Sequence, residues 1–144
     1  MASGLYDKGR EGFLNGTVRW DGTAVMKIAL VRGYTPNLAT HEDMADVTGA
    51  GGTVVGTPQV LGTQTATAGV ADAADATFTA VVAGAAIAHL IIYQASAVTG
   101  GADVAAGSQR LVAMIDDYTG LPVTPNGGDI AVQFSSGANR IFKL

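Results

Sequence analysis

The sequence predicts an all-β protein, and three observations carry this prediction. Short segments with alternating residue types recur along the chain, as where Met26, Ile28 and Leu30 alternate with Lys27 and its neighbours. Gly-rich turns separate these segments. Helical patterns are confined to short turns near the N-terminus and at 40–46. We expect a sandwich of about eight short antiparallel strands, and the long excursions between strands favour a jelly-roll topology.

The predicted strands follow one another at short intervals. In chain order they cover 16–20, 24–31, a Thr-rich exposed strand within 59–70, 76–82, 87–93, 109–116, 129–134 and 140–144. Asp21-Gly22 is a tight-turn pair, so the first two strands are predicted to form a hairpin. The segment 87–93 is apolar on both faces, which is typical of a central strand.

Two short helical turns are predicted. Ser3 is a candidate N-cap for the first, although Gly9 and Gly12 each weaken a helix by about 1 kcal/mol relative to Ala. Thr40 is the candidate N-cap of the second, which carries acidic residues in its first turn, where the helix dipole favours them. We therefore expect little helix overall.

The composition predicts a surface with few charges. Of the 144 residues, 48% are hydrophobic and only 14% are charged, against a usual charged share of about 25%. Association with a partner is one way to cover such a surface. The net charge is −4, and no Lys or Arg occurs between Arg32 and Arg110. The sequence thus offers no basic stripe for a phosphate backbone, and direct nucleic-acid binding is not expected.

The length fits one domain, and a cytoplasmic origin is expected. The first residues lack the apolar core of a secretory signal, and Cys is absent, which excludes a disulfide framework. The longest apolar run, 80–92, is shorter than the ~18 residues needed to span a bilayer. We expect a soluble protein made in the cytoplasm, without a membrane partner.

No pattern of catalytic, cofactor-binding or metal-binding residues emerges. The Gly-rich segment 49–56 fits neither a dinucleotide fingerprint nor a P-loop. His41 lacks the second His of a zinc-protease helix, and His89 is expected to be packed and hydrogen-bonded within its apolar strand. The acidic pairs Asp72/Asp75 and Asp116/Asp117 are too sparse for a calcium loop. An enzyme is not expected, since it would require one of the two His to meet a carboxylate in space.

Six blocks of the sequence carry a resemblance to a known family. They are "LYDKGREGFLNG", "NLATHEDMADV", "GVADAADATFTAV", "LIIYQ", "DYTGLPVTPNGGDI" and "GANRIFKL", and they run from residue 5 to residue 144. Together they resemble the capsid cement, or decoration, proteins of tailed bacteriophages. The blocks are long and unusual, but they contain no reactive residue that could be carried over.

The resemblance implies a structural role in a virion. Similar proteins are jelly rolls on the outer surface of an icosahedral shell, where they bridge neighbouring subunits of the major capsid protein, often as dimers, and resist internal DNA pressure. The implied partners are the major capsid protein and a second copy of this chain. The physical mechanism would be multivalent attachment, which raises the effective concentration for the second contact.

The two ends of the chain supply the candidate interface residues. Residues 1–15 are predicted to form an N-terminal arm and residues 16–144 the sandwich domain. The candidates are Leu5, Tyr6, Arg10, Phe13, Leu14, Arg140, Ile141, Phe142, Lys143 and Leu144. The terminal run 140–144 could add a strand to a neighbouring sheet, or it could complete this protein's own sandwich; the second alternative is slightly favoured.

The main alternative function is a glycan- or receptor-binding module, or another minor structural module, on the virion surface. Jelly rolls often bind sugars through loop aromatics and carboxylates. The candidates for such a site are Tyr34, Asp116, Asp117 and Tyr118.

Overall fold

The fold is built mainly from antiparallel strands, which confirms the all-β prediction. The computed structural model describes residues 3–118, 120–137 and 140–144. Within these residues the elements are β1 (Gly4–Leu5), α1 (Asp7–Asn15), β2 (Val25–Arg32), α2 (Met44–Gly49), β3 (Thr53–Val60), β4 (Thr65–Thr67), β5 (Val70–Asp72), β6 (Ala76–Phe78), β7 (His89–Ser96), a 3-10 turn (Ala106–Ser108), β8 (Arg110–Ile115), β9 (Ile130–Val132) and β10 (Phe142–Lys143).

The largest sheet has five strands in the order β1-β8-β7-β2-β3. All of its neighbouring pairs are antiparallel, and β7 lies in the middle. The prediction of a central strand at 87–93 is therefore confirmed, and its cause is burial on both faces.

Each face of this sheet covers a separate hydrophobic core. On one face, residues such as Ile28, Leu90 and Ile92 share a core with Phe78 and with Val132. These last two belong to β6 and β9, which pair as a two-stranded sheet; Ala71 brings the three-stranded sheet β10-β5-β4 into the same core. The two smaller sheets thus form the second layer of the sandwich.

The other face of the five-stranded sheet packs against helix α2 and the segment before it. Its core contains Val31, Ile91 and Leu111 from the strands, together with Met44 and Val47 from α2. Apolar residues at odd and even positions of β2 and β7 are therefore both buried.

The hairpin predicted for 16–20 and 24–31 is wrong. Residues 16–20 form no strand, and β2 pairs with β7 and β3 instead. The side chain of Gln94 takes the place of a strand partner for this segment. Its Oε1 accepts from the Arg19 amide at 3.1 Å, and its Nε2 donates to the Thr17 carbonyl at 2.8 Å.

Both helices form near their predicted places, but neither uses its predicted cap. The first begins after Tyr6, and Ser3 accepts instead from the amide of Asp116 at 3.1 Å. The second begins after Asp43, whose side chain accepts from the amides of Ala45 and Asp46 in a reciprocal capping box. Asp43 and Asp46 form the reciprocal pair, which Thr40 could not form from its position before the helix.

Candidate interaction surface

The C-terminal run pairs with the protein's own sheet. Strand β10 lies antiparallel to β5, with Phe142 opposite Ala71. The amide of Leu144 continues the pairing by donating to the carbonyl oxygen of Gly69 at 2.9 Å. Of the two alternatives for residues 140–144, the structure contains the internal strand.

Part of this run stays accessible. Ile141 and Phe142 are half-buried against the main core, whereas Lys143 is exposed and Leu144 keeps 58% of its surface. The boundary between covered and exposed side chains falls between Phe142 and Lys143, which point to opposite faces of the strand. Arg140, Lys143 and Leu144 are therefore the members of the run that a partner can reach most easily.

At the N-terminal end, Leu5 and Tyr6 are buried, which corrects their place among the interface candidates. Leu5 is 6% exposed and Tyr6 is fully buried. The reason is that β1 joins the edge of the large sheet, with Leu5 opposite Ala113, and the Tyr6 amide donates to the Val112 carbonyl at 3.1 Å. Residues 4–15 thus pack on the sandwich, and the division of the chain at residue 15 stays a prediction.

Helix α1 approaches strand β8 closely because it carries glycines. A Cβ at Gly9 would lie 2.7 Å from the Leu111 carbonyl oxygen, and Gly12 is also buried. Phe13 is half-buried, while Leu14 is 90% exposed. The end of α1 therefore presents one large apolar side chain to solvent.

Both candidate arginines have acidic partners. Arg10 lies 2.7 Å from Asp7, and Arg140 lies 3.2 Å from Asp72. These exposed pairs contribute about 0–1 kcal/mol each. Among the ion pairs of the described residues, none involves Lys143.

Aromatic rings bring the two ends of the chain together. The ring centroids of Phe13 and Phe142 are 5.9 Å apart, and those of Trp20 and Phe142 are 5.2 Å apart in an edge-to-face arrangement. Trp20 is buried, and its indole nitrogen donates to the carbonyls of Thr65 at 3.1 Å and Asp72 at 3.2 Å. Candidates predicted separately from the two ends thus occupy one place in the fold.

A cleft of about 250 Å³ opens beside these rings. Phe13, Phe142 and Leu144 line it together with small residues of the β4–β5 hairpin, Ala66 and Gly69. Sequence reasoning missed this hairpin, although its small residues between threonines were the available signal. We call Phe13, Phe142 and Leu144, together with Leu14 and Lys143, their exposed neighbours along the chain, the terminal patch.

A hydrogen-bonded network that starts from two buried tyrosines lies on the opposite face of the large sheet. The Tyr6 and Tyr34 hydroxyl oxygens are 2.9 Å apart, and the Tyr34 hydroxyl is 2.7 Å from Nδ1 of His41. The Asn37 amide donates to the same nitrogen at 3.3 Å. Burial raises the pKa of both tyrosines, so their hydroxyls stay protonated and can donate. These hydrogen bonds connect Tyr6 to the segment that precedes α2.

His89 lies beside this hydrogen-bonded network. Its ring centroid is 5.6 Å from that of Tyr34, and its Nδ1 is buried without a hydrogen-bond partner among the described residues. The packing was expected, whereas a hydrogen bond at Nδ1 is missing. Burial lowers the pKa of His89, and the charge of Asp116 partly opposes this effect. Within the described ranges, no three His, Asp or Glu side chains are grouped closely enough to hold a metal ion.

The candidate glycan residues do not form one exposed surface. Tyr34 is 4% exposed and belongs to the core beneath α2. Tyr118 packs against the main core on the other face, and its hydroxyl accepts from the Gln133 amide at 2.9 Å. Asp117 is exposed and accepts a hydrogen bond from Ser3.

Comparisons of the chain with protein-family models, with curated proteins and with solved structures found no match. In the part of the chain that the structure describes, neither helix is long and apolar enough to cross a membrane.

Proposed function

We propose that this protein binds the outside of an icosahedral bacteriophage capsid and staples neighbouring major capsid protein subunits, which stabilises the head against internal DNA pressure. The observation that supports this best is the terminal patch. Two sequence blocks that carry the resemblance, one at each end of the chain, meet there on a partly exposed apolar surface. We also propose that the sandwich is a jelly roll and that the protein is a homodimer on the shell.

Apolar burial would supply the binding energy at the patch. Leu14 is 90% exposed and Leu144 is 58% exposed. Fully burying one leucine side chain contributes about 1.5–3 kcal/mol. Such a contact is weak alone, but a protein attached to two subunits gains effective concentration at the second site. Binding to the assembled shell, and not to free subunits, then stabilises the shell by mass action.

The copy number in the virion is the first test. Quantitative mass spectrometry of gradient-purified virions should find this protein at a level comparable with that of the major capsid protein. A few copies per virion would indicate a vertex, connector or tail component instead, and absence from the virion would refute the proposal.

Surface variants test the role of the patch. Leu14→Asp and Leu144→Asp should prevent co-sedimentation with shells that have been stripped of the protein. Val82→Asp and Val98→Asp are matched controls, because these valines are 75% and 67% exposed and lie outside the patch. Equal binding by all four variants would remove the patch from the proposal, while the copy-number test would still decide the function.

A glycan- or receptor-binding module remains the alternative function. Its weakness is that Tyr34 is buried. A thermal-shift screen with saccharides separates the two functions, since a cement protein should show no saturable stabilisation.

A further inference from the structure

Within the described residues, the sheet β10-β5-β4 has two edge strands, and these differ in charge. One is β10, whose Lys143 is exposed. The other is β4, which forms a hairpin with β5 and is exposed along its whole length. No charged residue occurs in 47–71, so β4 and its turn are uncharged. A strand edge can pair with another extended chain, and charged side chains on the edge oppose such pairing.

The outer edge of β4 presents the backbone groups of Ala66, which lies opposite Ala71 of β5. The Ala71 carbonyl accepts from the Ile141 amide at 3.1 Å, so the backbone groups of Ala71 face the β10 side of the sheet. The two alanines therefore exchange no hydrogen bonds, and the N–H and C=O of Ala66 point away from β5. Ala66 is exposed, and in the described part of the chain no loop backbone bonds to it.

The turn of the hairpin gives the same backbone direction. Its two central residues, Ala68 and Gly69, have φ of 53° and 78°. Positive φ at both positions is typical of a type I′ turn, which is flanked by a pair that exchanges hydrogen bonds, here Thr67 and Val70. Such pairs alternate along an antiparallel ladder with pairs that exchange none. The next pair, that of Ala66, is therefore one whose backbone groups point outward.

We propose that two copies of this chain associate through this edge, with β4 antiparallel to β4 of the second copy and Ala66 on the two-fold axis. The two Ala66 residues exchange both N–H···O bonds, and the two three-stranded sheets become one continuous sheet. Thr65 of each copy lies opposite Thr67 of the other, and opposed threonines form a favourable cross-strand pair. The inference names the surface of the proposed homodimer and rests on that part of the proposed function.

A second copy fits this edge because the edge is self-complementary. Near a two-fold axis a residue faces its own counterpart, so a charged side chain there repels itself. The uncharged segment 47–71 avoids this repulsion at β4, whereas Lys143 opposes the same pairing at β10. The longer edge strand β3 contains Pro58, which has no N–H to donate, and Gly56, whose φ of 70° interrupts the extended backbone. Of these three edges, β4 is the one best suited to self-pairing.

This pairing places the two terminal patches on one face of the joined sheet. Ala66 lines the same cleft as Phe142 and Leu144. Residues that lie directly opposite each other in a sheet point to the same face, so the two clefts lie on either side of the axis. The dimer thus presents two patches to one surface, which is the arrangement that bivalent attachment to a shell uses.

Dilution of the ¹⁵N-labelled full chain tests the association. Two backbone hydrogen bonds and few side-chain contacts make a weak dimer, so we expect a dissociation constant of about 0.1–1 mM. The NMR signal of the Ala66 amide should shift as the protein is diluted from about 1 mM to about 0.01 mM, and sedimentation should show loss of the dimer over this range. A chain that is monomeric throughout, or a dimer whose dissociation does not shift the Ala66 amide, would overturn the proposal.

A pair of opposite charges locates the two-fold axis. Ala66→Lys and Ala66→Glu should each dimerise less than the unaltered chain, because like charges then meet across the axis. An equimolar mixture of the two should associate at least about tenfold more tightly than either variant alone. Circular dichroism checks that each variant keeps the fold of the unaltered chain.

The matched control lies on the other edge of the same sheet. Lys143→Glu mixed with the unaltered chain should associate no more tightly than the unaltered chain alone. Tighter association of this mixture, or no gain in the Ala66 mixture, would remove the β4 edge from the homodimer. The copy number in the virion would still decide the capsid function in either case.

Discussion

The N-terminal segment and the C-terminal run meet at one patch, but the N-terminal segment is buried more deeply in the sandwich. Tyr6 is fully buried, and Gly9 lets helix α1 approach a backbone carbonyl of β8 closely. The C-terminal run is held by a two-residue strand whose Phe142 is only half-buried. The sequence predicted an arm at the N-terminus and slightly favoured an internal strand at the C-terminus, but the N-terminal segment is the one built into the core.

The difference teaches that apolar content alone does not identify an interface arm. Leu5 and Leu14 belong to the same short segment, yet one is 6% exposed and the other is 90% exposed. Leu5 is covered because β1 pairs with β8, whereas Leu14 is exposed because it lies at the end of helix α1. We therefore expect the N-terminal segment to govern stability and the C-terminal run to be the more easily detached.

The largest effect should come from removing the N-terminal anchor. Tyr6→Ala should lower the free energy of unfolding by about 3–5 kcal/mol, because it empties a fully buried site. Tyr6→Phe removes only the hydroxyl contact with Tyr34 and should cost about 1 kcal/mol. Urea denaturation followed by circular dichroism measures both, and similar small losses would contradict the anchoring of this end.

The close approach of α1 to β8 gives the next effect. Gly9→Ala should destabilise by about 1–3 kcal/mol, because its Cβ would lie 2.7 Å from a carbonyl oxygen. Gly49→Ala in α2 is the control, where a Cβ meets nothing within 4 Å. Because alanine favours a helix by about 1 kcal/mol, the control should be neutral or stabilising. Melting temperatures that move together in both variants would disagree with this contact.

The C-terminal run should be less costly to disturb. Phe142→Ala should lower the free energy of unfolding by about 1–2 kcal/mol, since the ring is half-buried. The exposed Lys143→Ala should change it by less than about 0.5 kcal/mol. If Phe142→Ala proves as damaging as Tyr6→Ala under the same urea titration, the two ends are held equally firmly and the comparison fails.

Lowering the pH should loosen the N-terminal segment before the C-terminal run. The loss of stability should be smaller than that caused by the substitutions above. Burial lowers the pKa of His89, so the unfolded chain binds a proton at a higher pH than the folded chain does. The stabilisation is fully present above the usual histidine pKa of about 6.5 and declines as the pH falls from there through the lowered value. Because His89 packs on Tyr34, which contacts Tyr6, hydrogen exchange should speed up at residues 4–15 before residues 141–144.

A substitution checks that His89 is responsible for this pH dependence. His89→Gln should flatten the slope of stability against pH below about 6.5. A slope unchanged in this variant would assign the pH dependence to other groups, and equal exchange at both ends would contradict the order of loosening.

The local patterns of the sequence predicted which strand is central, but they did not predict which strands pair. The apolar segment 87–93 predicts a central strand because burial on both faces leaves a direct mark on composition. The hairpin at Asp21-Gly22 failed because a glutamine 75 residues from Arg19 supplies the hydrogen bonds instead. Periodicity carries no information about such a distant side chain.

The candidate site was predicted only in part, again because sequence patterns do not show which distant residues meet. Phe13 and Phe142 were both singled out, but nothing in the sequence indicated that their rings lie 5.9 Å apart. Leu5 and Tyr6 were misassigned because a two-residue strand is too short to produce an alternating pattern. The sequence pattern favours Thr40 as the cap, whereas Asp43 and Asp46, three residues apart, form the capping box.

The placement of Trp20 gives the protein an optical reporter of its own. It is the single tryptophan of the chain, and it contacts the C-terminal ring while its indole nitrogen is held by two carbonyls. Its emission maximum should lie at short wavelength while the terminal segments are packed on the sandwich. It should move to longer wavelength when water reaches the indole. Detachment of the last strand can thus be followed in real time, without a label, in the free protein.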